Sequence, residues 1–167
     1  MSIQLSDKHK SLIQKIGGMR EKIVSRNRTM DETQEFPWDI CKMFAEQHIL
    51  DLPIPEKYGG GGSDSFTCWV VIEEIARFSP SAAHMLAGHW LGFTPLELYC
   101  TSVQKDEYFH RLRSDIAAFA LTEPAAGSDA GESLQNGIWT DGYAKRYSKG
   151  SKKICREGIR FENGSGS

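Results

Sequence analysis

The sequence predicts a mainly α protein, an up-and-down helical bundle over residues 1–113 followed by the beginning of a β-domain over residues 114–167. Three observations carry that expectation. Apolar residues recur at steps of three and four over much of residues 5–112. A proline- and glycine-rich stretch, "DLPIPEKYGGGGSD", divides the early helical runs from the later ones. At Asp115 the pattern changes to a short apolar run, "IAAFAL", followed by a Pro-Gly loop and then by turn signals with short β-type pieces between them.

The first element runs from Leu5 to about Arg28, where Leu12, Ile13, Ile16, Met19 and Ile23 form one stripe of an amphipathic helix. A second helix is announced by Pro37 in its first turn with Asp39 close behind, takes Ile40, Cys41, Phe44, Ala45 and His48 as its inner face, and ends by Leu50. The following stretch is a loop, because Pro53 and Pro55 lack amide hydrogens and four consecutive glycines are costly to order. Gly59 to Gly62 read as a flexible connector, since a phosphate cradle asks for GxGxxG or a GK[ST] ending and neither occurs. "SFTCWVVIEEIARFS" is apolar nearly all round, with Glu73, Glu74 and Arg77 to one side, and reads as a helix in the middle of a bundle. Ser79 is an N-cap before Pro80, and a helix rich in small residues continues until Pro95 interrupts it. Thr101 with Gln104 makes a capping box for a last helix from Ser102 to about Leu112, with Val103, Tyr108 and Leu112 inward. Beyond the apolar run, Asp141-Gly142, Gly150 and Gly158 mark turns.

Composition narrows the function classes. With 40% hydrophobic and 25% charged residues and no run of about 18 apolar residues, neither disorder nor a membrane span is expected. The start "MSIQLSDKHK" lacks the features of a secretory signal, which points to the cytoplasm. Cys41, Cys68, Cys100 and Cys155 form no CxxC pair and have no nearby histidine to complete a zinc site, so reduced structural thiols and no metal are expected. The net charge of −2 conceals an asymmetry: residues 145–167 hold seven Lys and Arg against two acidic residues. That basic end has no stacking or groove-reading pattern, so no nucleic-acid partner is expected.

One segment sounds like specific chemistry. "ALTEPAAGSDA", Ala120 to Ala130, combines hydrogen-bonding Thr122 and Ser128 with a path-fixing Pro124 and a freeing Gly127, as a loop laid against a large polar ligand would. Together with the helical first part, the "PEKYGG" loop, "EEIAR" in a central helix and "QKDEYFHRL" in the last helix, this order resembles the N-terminal part of an acyl-CoA dehydrogenase, from about Phe36 to Ala130.

The resemblance implies that the domain after residue 113 is the incomplete start of a β-barrel-like domain. It implies an FAD site to which Phe119, Ala120, Leu121, Thr122, Gly127 and Ser128 contribute, with Ser128 also near an acyl-CoA substrate. It implies α,β-desaturation of an acyl thioester in fatty acid metabolism, an electron acceptor such as an electron-transfer flavoprotein, and a homo-oligomeric full-length form. The family's carboxylate base lies in the C-terminal helical part, so no catalytic residue is expected here, and Glu123 reads as loop-fixing. "GSKKICREG", Gly150 to Gly158, is a distorted version of the family's next flavin-packing segment. The chain therefore reads as a truncated portion, inactive alone. Two alternatives remain open: a non-catalytic helical module that binds a partner, or a flavin oxidase or monooxygenase on the same scaffold. Met85, Trp90, Leu91 and Phe93 suit plain core as well as an acyl pocket.

Overall fold

A computed structural model describes residues 4–119, 128, 138–140, 143–145 and 159–162, the last three segments by backbone alone. The described residues are mainly helical, with five α-helices before the first strand. The chain divides into two compact units, residues 1–87 and 88–167.

In the first unit, helix α1 (Asp7–Thr33) starts at a capping box in which the Ser6 hydroxyl accepts from the His9 amide and the His9 ring accepts from the Ser6 amide. A histidine occupies the place usually held by Glu or Gln, which hid the cap in the sequence. The helix outlasts the expected end at Arg28 because the stripe Ile16, Met19, Ile23 continues to buried Met30. The same His9 ring meets Thr67 Oγ1 at 3.1 Å, tying α1 to α3 (Ser65–Ala76), against which it packs.

Helix α2 (Trp38–Glu46) buries Ile40, Cys41, Met43 and Phe44. His48 does not join that face. The helix closes in a Schellman motif, with Ile49 N–H donating to Phe44 C=O and His48 N–H to Ala45 C=O, and His48 takes the left-handed position at φ 54°. That turn swings its ring into solvent, where it bonds the Asp51 carboxylate at 3.0 Å.

The glycine-rich stretch is not a flexible connector. After a short 3-10 turn at Glu56–Tyr58, the amides of Gly61, Gly62 and Ser63 donate to the carbonyls of Asp51, Ile54 and Leu52 at 2.9, 2.8 and 2.8 Å. The returning chain presses on residues 51–54 so closely that a Cβ on Gly60 would overlap the carbonyl oxygen and Cβ of Ile54. Glycine serves close approach here, and the backbone bonds offset its entropy.

Helix α3 has a wet side as well as a dry one: Thr67, Val70, Val71 and Ile75 are buried, while Trp69 is 68% exposed, so its all-round apolar character does not place it at the centre of a bundle. Asp64 caps it by accepting from the Thr67 amide at 2.8 Å. Helix α4 (Pro80–Tyr99) opens as expected, with Ser79 Oγ accepting from Ala82 N–H and Pro80 in the first turn.

Pro95 does not interrupt α4. The helix runs through it, because Phe93 and Leu96 on either side are buried and the Thr94 hydroxyl donates back to Trp90 C=O at 3.2 Å. In the second unit, helix α5 (Ser102–Leu112) carries the expected Thr101–Gln104 capping box. Its buried residues are Phe109 and Leu112, Tyr108 is half-buried, and Val103, expected inward, is 76% exposed. The inward stripe is centred one position later than the sequence suggested.

Strand β1 (Ile116–Phe119) begins where the pattern change predicts and pairs antiparallel with β4 (Ile159–Glu162), Ala117 opposite Phe161. β2 (Ile138–Thr140) and β3 (Tyr143–Lys145) pair antiparallel, Trp139 opposite Ala144, while the turn signal Asp141-Gly142 lies outside the described residues. The described strands thus make two separate antiparallel pairs and no barrel.

Candidate functional site

The element that leads into "ALTEPAAGSDA" is β1, and its placement in the second unit is set by α4. His89 and Gly92 lie one turn apart on α4, on one face. The Ala117 amide donates to His89 Nδ1 at 3.0 Å, and both residues are buried. A Cβ on Gly92 would stand 2.9 Å from Ala117 Cβ, so the helix backbone reaches the strand only because that side chain is absent. Beneath this contact Phe93 and Phe109 pack at 5.0 Å between ring centres, linking α4 to α5.

Phe119, at the end of β1, is half-buried, and Ser128 is exposed. These two members of the expected ligand-contacting set are therefore open to a ligand, one offering partly covered apolar surface and one a hydroxyl. Taken one by one, a partly covered aromatic ring and an exposed hydroxyl are residue types compatible with a flat ring and a charged phosphate. Ala120, Leu121, Thr122 and Gly127 lie outside the described residues, as do Glu123, Cys155 and the stretch Gly150 to Gly158. Of the residues weighed for an acyl pocket, Met85, Trp90 and Phe93 are buried, whereas Leu91 is 55% exposed. Sequence reasoning missed His89, whose signal was a single polar side chain on an otherwise apolar helix face.

Among the described residues no group of His, Cys, Asp and Glu is arranged to hold a metal ion. Cys41, Cys68 and Cys100 are reduced thiols. Burial pushes the Cys68 thiol up to about 11, aided by the nearby Asp64 carboxylate, so Cys68 is no nucleophile at neutral pH. Hydrogen bonds from Thr67 hold the Asp64 carboxyl below its ordinary value. No helix among the described residues is long and apolar enough to cross a membrane.

The family model for the acyl-CoA dehydrogenase N-terminal domain matches residues 6–115, from the α1 capping box to the residue before β1. The chain belongs to the acyl-CoA dehydrogenase family. An acyl-CoA dehydrogenase of Bacillus subtilis is 34% identical over 142 residues, covering 83% of this chain and 37% of its own length. A glutaryl-coenzyme A dehydrogenase solved with glutaryl-CoA superposes with a TM-score of 0.73 at 29% identity, covering 82% of this chain and 36% of the other. An acyl-CoA dehydrogenase from Bacillus anthracis solved with FAD gives 0.72 at 26% identity, covering 80% and 24%. The chain thus spans little more than a third of the length of the Bacillus subtilis relative.

Proposed function

We propose that this chain supplies the N-terminal helical domain, residues 1–113, and the first flavin-contacting segment of an FAD-dependent acyl-CoA dehydrogenase. The observation that carries the reading is continuity: the family match ends at residue 115, and β1 then delivers Phe119 to the start of "ALTEPAAGSDA". In this reading Phe119, Ala120, Leu121, Thr122, Gly127 and Ser128 hold FAD. When bound, FAD supplies the hydride acceptor for desaturation of an acyl-CoA thioester.

The chain's own residues bind and orient. Ser128 donates its hydroxyl to a pyrophosphate oxygen, a charge-assisted bond, and lies beside the acyl-CoA. Thr122 bonds the neutral ring system, and Gly127 permits close approach of backbone to phosphate. Phe119 gives its partly covered ring as apolar wall. No residue of the chain is assigned as the base that removes the α-proton, so these 167 residues are expected to show no turnover by themselves. The active assembly is a cytoplasmic homo-oligomer that passes electrons to an electron-transfer flavoprotein.

Flavin titration followed by fluorescence at fixed salt tests the reading. Ser128→Ala should weaken FAD binding by about ten- to hundredfold, since it removes a bond to a charged group. Thr122→Val should weaken it by about tenfold or less, with a shift of the flavin absorption band as the sharper signal. Equal affinity in wild type and both variants would remove the flavin assignment and leave the non-catalytic helical module as the better account.

A further inference from the structure

The residues assigned to the flavin begin at Phe119, but nothing in that set says how Phe119 is held in place. We propose that His89 is the positioning residue of the flavin-contacting segment, acting through Ala117; the proposal rests on the flavin reading above. His89 touches neither cofactor nor substrate in this account. It fixes the strand that presents them with their contacts.

Hydrogen-bond chemistry determines the state of the ring. A backbone N–H can only donate, so the nitrogen 3.0 Å from the Ala117 amide must carry the lone pair. Nδ1 is therefore unprotonated. The ring is 1% exposed, and a neutral imidazole with its proton on Nε2 keeps this bond without burying a charge. A protein that needed only bulk at this position would use leucine or methionine, as it does at Leu86 and Leu96 on the same helix. Histidine adds an acceptor.

Gly92 makes the latch two-pointed. One turn along α4 its backbone seats against Ala117, with no room for a Cβ. The polar point fixes where the Ala117 amide aims and the steric point fixes how near the strand lies. Amides along a strand alternate edges, so Phe119 aims its N–H as Ala117 does, and a displacement at Ala117 is carried to Phe119. A slip of one residue would turn every β1 side chain to the opposite face.

Three variants and three readouts test this in the full chain. His89→Leu keeps volume and removes the acceptor. His89→Asn restores one, because its Oδ1 hangs from Cγ as Nδ1 does. Nitrogen NMR of the wild type should show Nδ1 of His89 unprotonated and Nε2 protonated, and a proton on Nδ1 would overturn the proposal without any variant. Hydrogen exchange at the Ala117 amide should be about tenfold faster in His89→Leu and near the wild-type rate in His89→Asn. The amide resonances of residues 119–128 should move in His89→Leu and return in His89→Asn, and FAD affinity should follow, falling about tenfold and recovering. Gly92→Ala should shift the same resonances with the Nδ1 state unchanged. Unchanged exchange at Ala117, or faster exchange with unmoved 119–128 resonances, would reduce His89 to plain core. If wild type takes up no FAD, the flavin reading fails by itself, and the exchange and resonance measurements still decide the latch.

Discussion

Asn27 in the first unit and His89 in the second are both polar side chains that reach far along the sequence to satisfy groups left over by secondary structure, yet they do different work. Asn27 Nδ2 donates to Phe78 C=O at 2.8 Å while its Oδ1 accepts from the Ser79 hydroxyl at 2.6 Å. It serves two helix ends at once, the close of α3 and the N-cap of α4. Phe78 and Asn27 are half-buried, so water can take over the bond to the Phe78 carbonyl, while Ser79 is fully buried. His89 serves a strand amide at a buried site, where a lost bond leaves a donor without water. A polar contact between helices therefore chooses their relative placement, whereas the same kind of contact on a strand also sets that strand's register and what it presents.

The comparison is tested most severely by emptying each core. Phe44 and Phe109 are both fully buried, one in each unit, so Phe44→Ala and Phe109→Ala should each lose about 3–5 kcal/mol in urea denaturation. If the units unfold separately, each variant will move only its own transition, and hydrogen exchange resolved by residue will show which. A shared shift would mean that the two units unfold as one cooperative body.

Glycines sharpen it next. Gly60→Ala should cost about 2–3 kcal/mol, because the new methyl meets the Ile54 backbone rather than a movable side-chain tip. Gly17→Ala, in the interior of α1 with open space around it, should instead stabilise by about 0.5–1 kcal/mol. Thermal melting distinguishes the two signs directly.

Asn27→Ala is expected to cost about 1–2 kcal/mol by denaturation, and to leave the Ala117 amide as slow to exchange as in wild type. Fast exchange at Ala117 in that variant would contradict the division of labour between the two side chains.

The smallest effect concerns acid. The Asp64 carboxyl is held below its ordinary value of 3.8, first by its side-chain hydrogen bond with Thr67 and then by the Thr67 amide, with desolvation opposing. Its folded pKa is lowered, so its stabilisation is present above 3.8 and is lost as pH falls through the lowered value. Asp64→Asn keeps a cap acceptor without that titration. The urea midpoint of the variant should fall less than that of wild type between pH ~6 and pH ~3.

Local chemistry fixed many elements in advance. The Ile16, Met19, Ile23 stripe, the Ser79 cap before Pro80, the Thr101–Gln104 box and the β onset at Ile116 each depend on residues within a few positions of one another, and each stands where the sequence places it. The segment proposed to contact the flavin rests on a resemblance carried by its own residues, most of which lie outside the described ones. What the sequence could not decide were the matters settled by a distant neighbour. Val103 and Phe109 sit on different faces of α5, and only the ring of Phe93 shows which face is covered. Pro95 stays inside α4 because buried Phe93 and Leu96 hold the helix together around it. Gly60 has no room for a side chain because the backbone of Ile54 lies against it. His89 looks like any lone histidine until Ala117, 28 residues on, is found donating to it. Periodicity records which residues avoid water, but the partner of a buried polar atom or a missing Cβ is a fact about three dimensions, and tertiary packing alone supplies it.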